Sequence, residues 1–274
     1  MSAFLSLPID KKIGRILHIT DTHLFACENE TLLGVNTLDS FNAVICEIEK
    51  KKQYYDLIVA SGDFVQDGSK AAYERFATRI TQLDIPCVWL PGNHDMLPNL
   101  QPVFNEYQIP NEKLILLGEN WLIILLNSQV PGKAYGRLAE SELSFLSETL
   151  QQYSERNTCV FLHHHPVLSG CQWLDQHCLQ NTESLQNILK QHPQVKTVGF
   201  GHIHQNIEQQ WEGRMVFATP STCAQFKPQC NEFTVDECGP GWRDLSLYED
   251  GTIETQVSHI ESTLFIPDLT INGY

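Results

Sequence analysis

Apolar residues along this chain switch repeatedly between short β-branched runs and spacings of three and four, and that alternation lays out the elements. The run 15–20, Arg-Ile-Leu-His-Ile-Thr, predicts a buried strand. Over 37–51, Leu38, Phe41, Val44, Ile45 and Ile48 share one helical face, with Asn36 or Thr37 as the cap. A strand at 57–61, a helix at 69–83 carrying Tyr73, Phe76, Ile80 and Leu83, and a third strand at 85–90 come next. Further strands are predicted at 121–127, 159–162, 195–200 and 215–219, with helices at 140–153, where Leu143, Leu146 and Leu150 turn inward, and near 182–191. Asp250-Gly251 predicts a hairpin between 245–248 and 252–257. Strand, helix, strand in succession argues for an α/β fold with parallel strands, whose ligand sites lie beyond the carboxyl ends of the strands.

The residues just after the apolar strands are polar in a recurring way. The first strand ends in Asp21-Thr22-His23, the second in Gly62-Asp63, and the third in Gly92-Asn93-His94-Asp95. The strand at 159–162 ends in His163-His164-His165-Pro166, and that at 195–200 in Gly201-His202-Ile203-His204. Any one cluster could be a loop left in water, since burying such groups unpaired costs a few kcal/mol each. Five in order are not explained that way. At one end of a single α/β sheet, Asp21, His23, Asp63, Asn93, His163, His202 and His204 would make a binuclear metal centre. Two carboxylates, an amide oxygen and four imidazoles suit borderline first-row ions; the oxygens are too few for a calcium cage. The absence of cysteine from the set argues against a structural zinc site. In an extended backbone, Asp21 and His23 would point to one side, as would His202 and His204. His18, inside its strand, reads as a packing residue, and Gly92 is expected to let the backbone turn tightly.

Composition narrows the partners. The formal net charge of −15 opposes binding a phosphate polymer, which draws on clustered Lys and Arg. A small anionic substrate is still accommodated where bound cations invert the local field. At 274 residues, 42% hydrophobic and 19% charged, the chain is an ordinary globular protein for which one domain is the default. No run approaches the roughly 18 apolar residues of a membrane span. Residues 1–12 lack a basic region ahead of a sustained apolar stretch, so a cytoplasmic protein is expected. Nine cysteines without a CxxC pair fit reduced thiols. Cys87 and Cys159 read as core residues, while for Cys223 and Cys230, in a polar loop, a functional role stays open. No repeat, low-complexity segment or linker divides the chain.

Taken together, Asp21-x-His23, Gly62-Asp63, Gly92-Asn93-His94-Asp95, His163 and Gly201-His202-Ile203-His204 resemble the ordered signature of the calcineurin-like metallophosphoesterases. The stretches Ile19 to Phe25, His163 to Pro166, Gly170-Cys171-x-Trp173-Leu174-Asp175-Gln176-His177 and Ala218 to Pro228 are similar to the bacterial class III 3′,5′-cyclic AMP phosphodiesterases. The resemblance implies an α/β/β/α sandwich of four layers in one domain over 1–274, with 205–274 supplying C-terminal strands and a substrate-side loop. It puts Asp21, His23 and His204 on one metal, Asn93, His163 and His202 on a second, and Asp63 between them. His164 and His165 are left as surrounding or packing residues. The metals would be two divalent or mixed-valence ions, iron and/or manganese. The implied reaction is hydrolysis of cyclic AMP to 5′-AMP by a metal-bridging hydroxide, lowering cellular cyclic AMP. The substrate would meet His23, Asp63, Asn93, His94, His163 and His204. His94 would act as general acid, with Asp95 orienting its imidazole by accepting from the other ring nitrogen. The alternatives are another small phosphodiester as substrate, or a metal-free binding module of the same fold. Residues of the 171–175 and 221–226 loops could enclose a purine or simply cover the core, and only the resemblance selects cyclic AMP.

Overall fold

The computed structural model describes residues 4–9, 12–261 and 263–273; of the N-terminal stretch read above, residues 1–3, 10 and 11 lie outside it. In chain order the elements are β1 (Leu5–Leu7), β2 (Ile13–Ile19), β3 (Thr31–Leu32), β4 (Val35–Asn36), α1 (Thr37–Lys51), β5 (Leu57–Ala60), α2 (Lys70–Thr81), β6 (Cys87–Trp89), α3 (Leu97–Glu106), β7 (Leu114–Leu117) and β8 (Trp121–Leu125). The second half of the chain adds α4 (Glu140–Gln152), β9 (Asn157–Phe161), α5 (Gln172–Asp175), α6 (Thr182–Lys190), β10 (Val195–Phe200), β11 (Ile207–Trp211), β12 (Arg214–Ala218), β13 (Gln225–Phe226), β14 (Val235–Asp236), β15 (Gly241–Tyr248) and β16 (Ile253–His259).

The strands form two main sheets, ordered β1-β7-β8-β9-β10-β12-β11 and β16-β15-β2-β5-β6. This corrects the single sheet expected from the strand pattern. Continuous apolar runs explain the difference, because a strand covered on both faces reads the same whether its cover is helix or sheet. Alternate residues in fact divide between two cores. Ile16, Val59, Val88, Ile123, Phe161, Phe217 and Leu245 pack between the sheets. Their neighbours Leu17, Ile58, Trp89, Leu122, Ile124 and Val160 join the helix-side core, with Phe41 and Ile45 of α1, Phe76 of α2, Phe104 of α3, Leu146 of α4 and Leu185 of α6. Four layers result, helices outside and sheets within, in the α/β/β/α order.

Parallel pairing holds for β2 with β5, β5 with β6, β8 with β9, β9 with β10 and β10 with β12. It is interrupted toward the borders, where β15 is antiparallel to β2, β7 to β8 and β11 to β12, although the edge strand β1 is parallel to β7. Helix α3 has no counterpart in the apolar periodicity. Its Pro98 and Pro102 erase the usual signal, although a proline in the first turn lacks only an N–H that has no helical partner there. No helix among the described residues is long and apolar enough to cross a membrane.

Candidate metal centre

The carboxyl ends of β2, β5 and β6 in one sheet and of β9 and β10 in the other face a common space, and all five polar clusters emerge there. The backbone at these ends is not extended as expected. Asp21 (φ 54°), His23 (45°), Asp63 (50°), His202 (69°) and His204 (47°) are all left-handed, a conformation that costs a non-glycine residue of order 1–3 kcal/mol and persists only where its surroundings over-determine it. Here they do. Asp21 N–H donates to Gly62 O (3.0 Å) and His23 N–H to Asp63 O (3.0 Å). His202 N–H donates to Asp21 Oδ2 (3.0 Å) and Ser221 Oγ to Asp21 O (2.7 Å). Strain is thus concentrated on the groups whose direction matters.

Two glycines permit the loops to close on each other. Gly62 has φ +96°, and a Cβ on it would lie 2.3 Å from Gly92 N. The tight turn expected at Gly92 is present, Asp95 N–H donating to Gly92 O (3.4 Å), and it needs no left-handed φ. What Gly92 supplies is space, since a Cβ there would sit 2.1 Å from Asp63 Oδ1.

Asp95 also departs from its expected role. Its Oδ2 accepts from Asp63 N–H (2.8 Å) and Gly92 N–H (2.8 Å), and its Oδ1 from Phe64 N–H (3.1 Å) and the Tyr73 hydroxyl (3.2 Å). Both oxygens are occupied by the two loops, and neither accepts from His94. Burial and the Asp63 charge push its pKa up to about 8, against the pull of the Gly92 and Phe64 N–H groups. Asp95 therefore fastens the Asp63 turn to the Asn93 turn. His94 is presented by its own N–H, donated to Asp63 Oδ1 (2.8 Å), with its ring 5.0 Å from that of His23.

The predicted ligands come together as two groups, joined by a third made of His23, Asp63 and His94. Donor atoms of Asp21, His23 and His204 lie within 4.8 Å of one another, as do those of Asp63, His163 and His202. Asp63 reaches both, its Oδ2 being 3.1 Å from His163 Nε2 and 4.0 Å from His23 Nε2. His204 Nε2 stands 3.4 Å from Asp21 Oδ1 and 3.1 Å from His23 Nε2. The imidazoles are aimed from behind: His163 Nδ1–H donates to Ser61 O (2.7 Å) and His204 Nδ1–H to Ala224 O (2.8 Å), while His23 Nδ1 is 2.7 Å from Gln66 Oε1. A carbonyl can only accept, so in the neutral ring, the form that holds a cation, each of these bonds leaves Nε2 with its lone pair forward. Asn93 Oδ1 and His202 Nε2 are buried with no hydrogen-bond partner among the described residues, and His163 Nε2 meets only the Asp63 carboxylate. Orphaned acceptors at a convergent point are what a cation would satisfy, and the donor set fits two metal ions.

Charge in the centre reflects the same geometry. Burial opposes ionisation of Asp63, but His163 and His94 hold its carboxyl well below the usual range. His204 and His163 lower that of Asp21 against its own burial. Burial by itself would depress His163; Asp63 and Asp21 override it and raise the imidazole to about 9. Burial keeps His23 down, at about 3, and holds His202 well below its ordinary value. Of the other histidines, His164 has Nδ1 2.8 Å from Ser128 Oγ, and His165 has Nε2 3.4 Å from Asp175 Oδ1. Neither belongs to a ligand group. His18 is a satisfied core residue, with Ser61 Oγ 2.8 Å from Nε2 and Thr219 Oγ1 2.6 Å from Nδ1.

A cavity of about 460 Å³ opens over the centre, lined by Asp63, Asn93, His94 and His202 and by Lys133, Trp173, His177, Phe226 and Phe233 among other residues. Of these, Lys133 and Phe233 lie in no motif, His177 closes the 170–177 stretch, and Gln66, Ser61 and Ala224 act through an amide or main-chain carbonyls. Trp173 and Phe226, with Leu174 beside them, lie in the loops that the sequence pattern offers as a purine enclosure.

Residues 14–206 match the family model of the calcineurin-like phosphoesterases. The chain is 48% identical, over 100% of both sequences, to the 3′,5′-cyclic adenosine monophosphate phosphodiesterase CpdA of Escherichia coli (strain K12). It is 35% identical, again over 100% of both, to the protein of that name from Pseudomonas aeruginosa. Among solved structures, a dimetal phosphatase from Danio rerio superposes with a TM-score of 0.62 at 12% identity, covering 91% of this chain and 99% of its own, a likeness of fold.

Proposed function

The chain belongs to the calcineurin-like phosphoesterase family, and from that premise we propose that it hydrolyses 3′,5′-cyclic AMP to 5′-AMP and so lowers cellular cyclic AMP. One observation carries the substrate class beyond the family. The family match ends at residue 206, whereas similarity to the cyclic AMP phosphodiesterases runs the full length, into the segment that supplies Phe226, Phe233 and Gly273 to the cavity over the centre.

In this reading Asp21, His23 and His204 hold one cation, Asn93, His163 and His202 the other, and Asp63 is shared. Iron and/or manganese suit this mixture of imidazole and oxygen donors. When bound, two such ions neutralise phosphoryl charge and activate water. The protein's own groups then position the diester: His23, Asp63, Asn93, His94, His163 and His204 surround the place where the phosphate sits. Hydrolysis adds water to phosphorus and breaks the P–O3′ bond, leaving an alkoxide that needs a proton. His94, half-buried on the cavity wall and tethered to Asp63 through its main chain, delivers that proton as general acid.

The whole of 1–274 acts as one domain, with 205–274 adding border strands and cavity wall. We read the location as cytoplasmic, and a small-molecule substrate rather than a nucleic acid agrees with the net charge of −15. The deciding measurement is turnover of metal-loaded enzyme on cyclic AMP, cyclic GMP, 2′,3′-cyclic AMP, a glycerophosphodiester and p-nitrophenyl phosphates. Highest kcat/KM on cyclic AMP is expected. No detectable turnover of it would return the assignment to the family level.

A further inference from the structure

We infer that Trp173, backed by Phe226 and Phe233, is the surface on which the purine base of the substrate stacks, so that the base is read by the aromatic wall of the cavity and the phosphate by its opposite side. This rests on the cyclic-nucleotide reading and deepens it. A 3′,5′-cyclic nucleotide is an anionic ring joined to a flat, weakly polar base, and the cavity has two matching halves. Asp63, Asn93, His94 and His202 make one; Trp173, Leu174, Phe226 and Phe233 make the other. At about 460 Å³ the space lies within the range of small-molecule sites.

The aromatic half is joined to the centre. Phe226 stacks on the ring of His204 at 4.4 Å and 15°. Trp173 meets Phe226 at 5.0 Å and 80°, and Phe233 at 5.0 Å and 63°. A continuous path of π-faces thus leads outward from a metal-ligating imidazole, as a base leads outward from its phosphate. Trp173 is also braced. It lies in the short helix α5, where Asp175 N–H donates to Cys171 O (2.9 Å) and Asp175 Oδ1 accepts from Ser169 N–H and Oγ–H (2.7 Å each). Cys171 Sγ ties that helix to the 226–233 segment through contacts with Lys227 O (3.5 Å) and Cys230 N (3.4 Å).

The test compares cyclic AMP with the cyclic phosphate of propane-1,3-diol, which keeps a cyclic six-membered diester and has no base, on metal-loaded enzyme. Trp173→Ala should raise KM for cyclic AMP about 5- to 150-fold, the range expected for loss of base–aromatic stacking. Its kcat/KM on the base-free diester should stay within about twofold of wild type, since no stacking contact is lost there. Trp173→Phe should recover most of the KM. Unchanged KM for cyclic AMP in Trp173→Ala, or an equal loss on both substrates, would overturn the stacking wall. If Trp173→Ala does not fold, Phe233→Ala and Trp173→Phe decide by the same comparison. Failure of the wild-type enzyme on cyclic AMP alongside turnover of the base-free diester would instead refute the cyclic-nucleotide reading.

Discussion

Asp95 accepts four hydrogen bonds from groups that would otherwise be buried unpaired, so its removal acts on the placement of Asp63 and Asn93 rather than on a proton transfer. Asp95→Asn would set an amide N–H2 against donors, and each buried group left unpaired costs about 1–3 kcal/mol. The expected result is a lower melting temperature and reduced metal content at sub-saturating metal, read by thermal denaturation and elemental analysis. His94→Ala separates from it cleanly: turnover of cyclic AMP should fall roughly 10²–10⁴-fold with metal content unchanged. A His94→Ala enzyme of normal turnover would remove the general-acid assignment. At this scale the seven proposed metal donors are legible as residue types after strands, while Ser61 and Ala224 are not, because a main-chain carbonyl leaves no mark in the sequence.

Elements are legible wherever the apolar period is uninterrupted. Helix α1 begins and ends at the residues its apolar face indicates, with Asn36 as the cap accepting from Asp39 N–H at 2.9 Å. Helix α2 starts after Ser69, whose Oγ accepts from Ala72 N–H at 3.2 Å. Ser69→Ala should cost about 1 kcal/mol through that one orphaned donor. In a chain of this size it should appear as a drop of roughly 2–4 °C in Tm, with kcat unaltered. Strand β1, three residues paired in parallel with β7, escapes the pattern because nothing local distinguishes so short a segment. Its place comes from the sheet border it completes. The two-residue pairs β3–β4 and β13–β14 escape it for the same reason.

Across the whole molecule, His18 joins the two sheets: it stands on β2, yet its ring lies 5.0 Å from Phe161 and 5.8 Å from Phe217 of the other sheet. Burial, then the nearby Arg243 charge, pushes its pKa down to about 3. The folded protein therefore keeps His18 neutral where the unfolded chain takes up a proton below about 6.5. Its contribution is fully present above that pH and is lost as pH falls toward 3. Between pH 7 and 5 the loss should be about 2 kcal/mol. Denaturant midpoints of chelator-treated protein should thus fall more for wild type than for His18→Gln. Equal losses would show that His18 is protonated in the fold. The sequence by itself determined which side chains could bind metal and that each lies just past an apolar strand, since both are properties of a few consecutive residues. Only the tertiary structure decided how the strands divide between the two sheets, that five of the proposed ligands are left-handed, and that Asp95 fastens loops. These depend on partners such as Asp21 and His202, 181 residues apart, and no local pattern records which distant group will satisfy a buried donor.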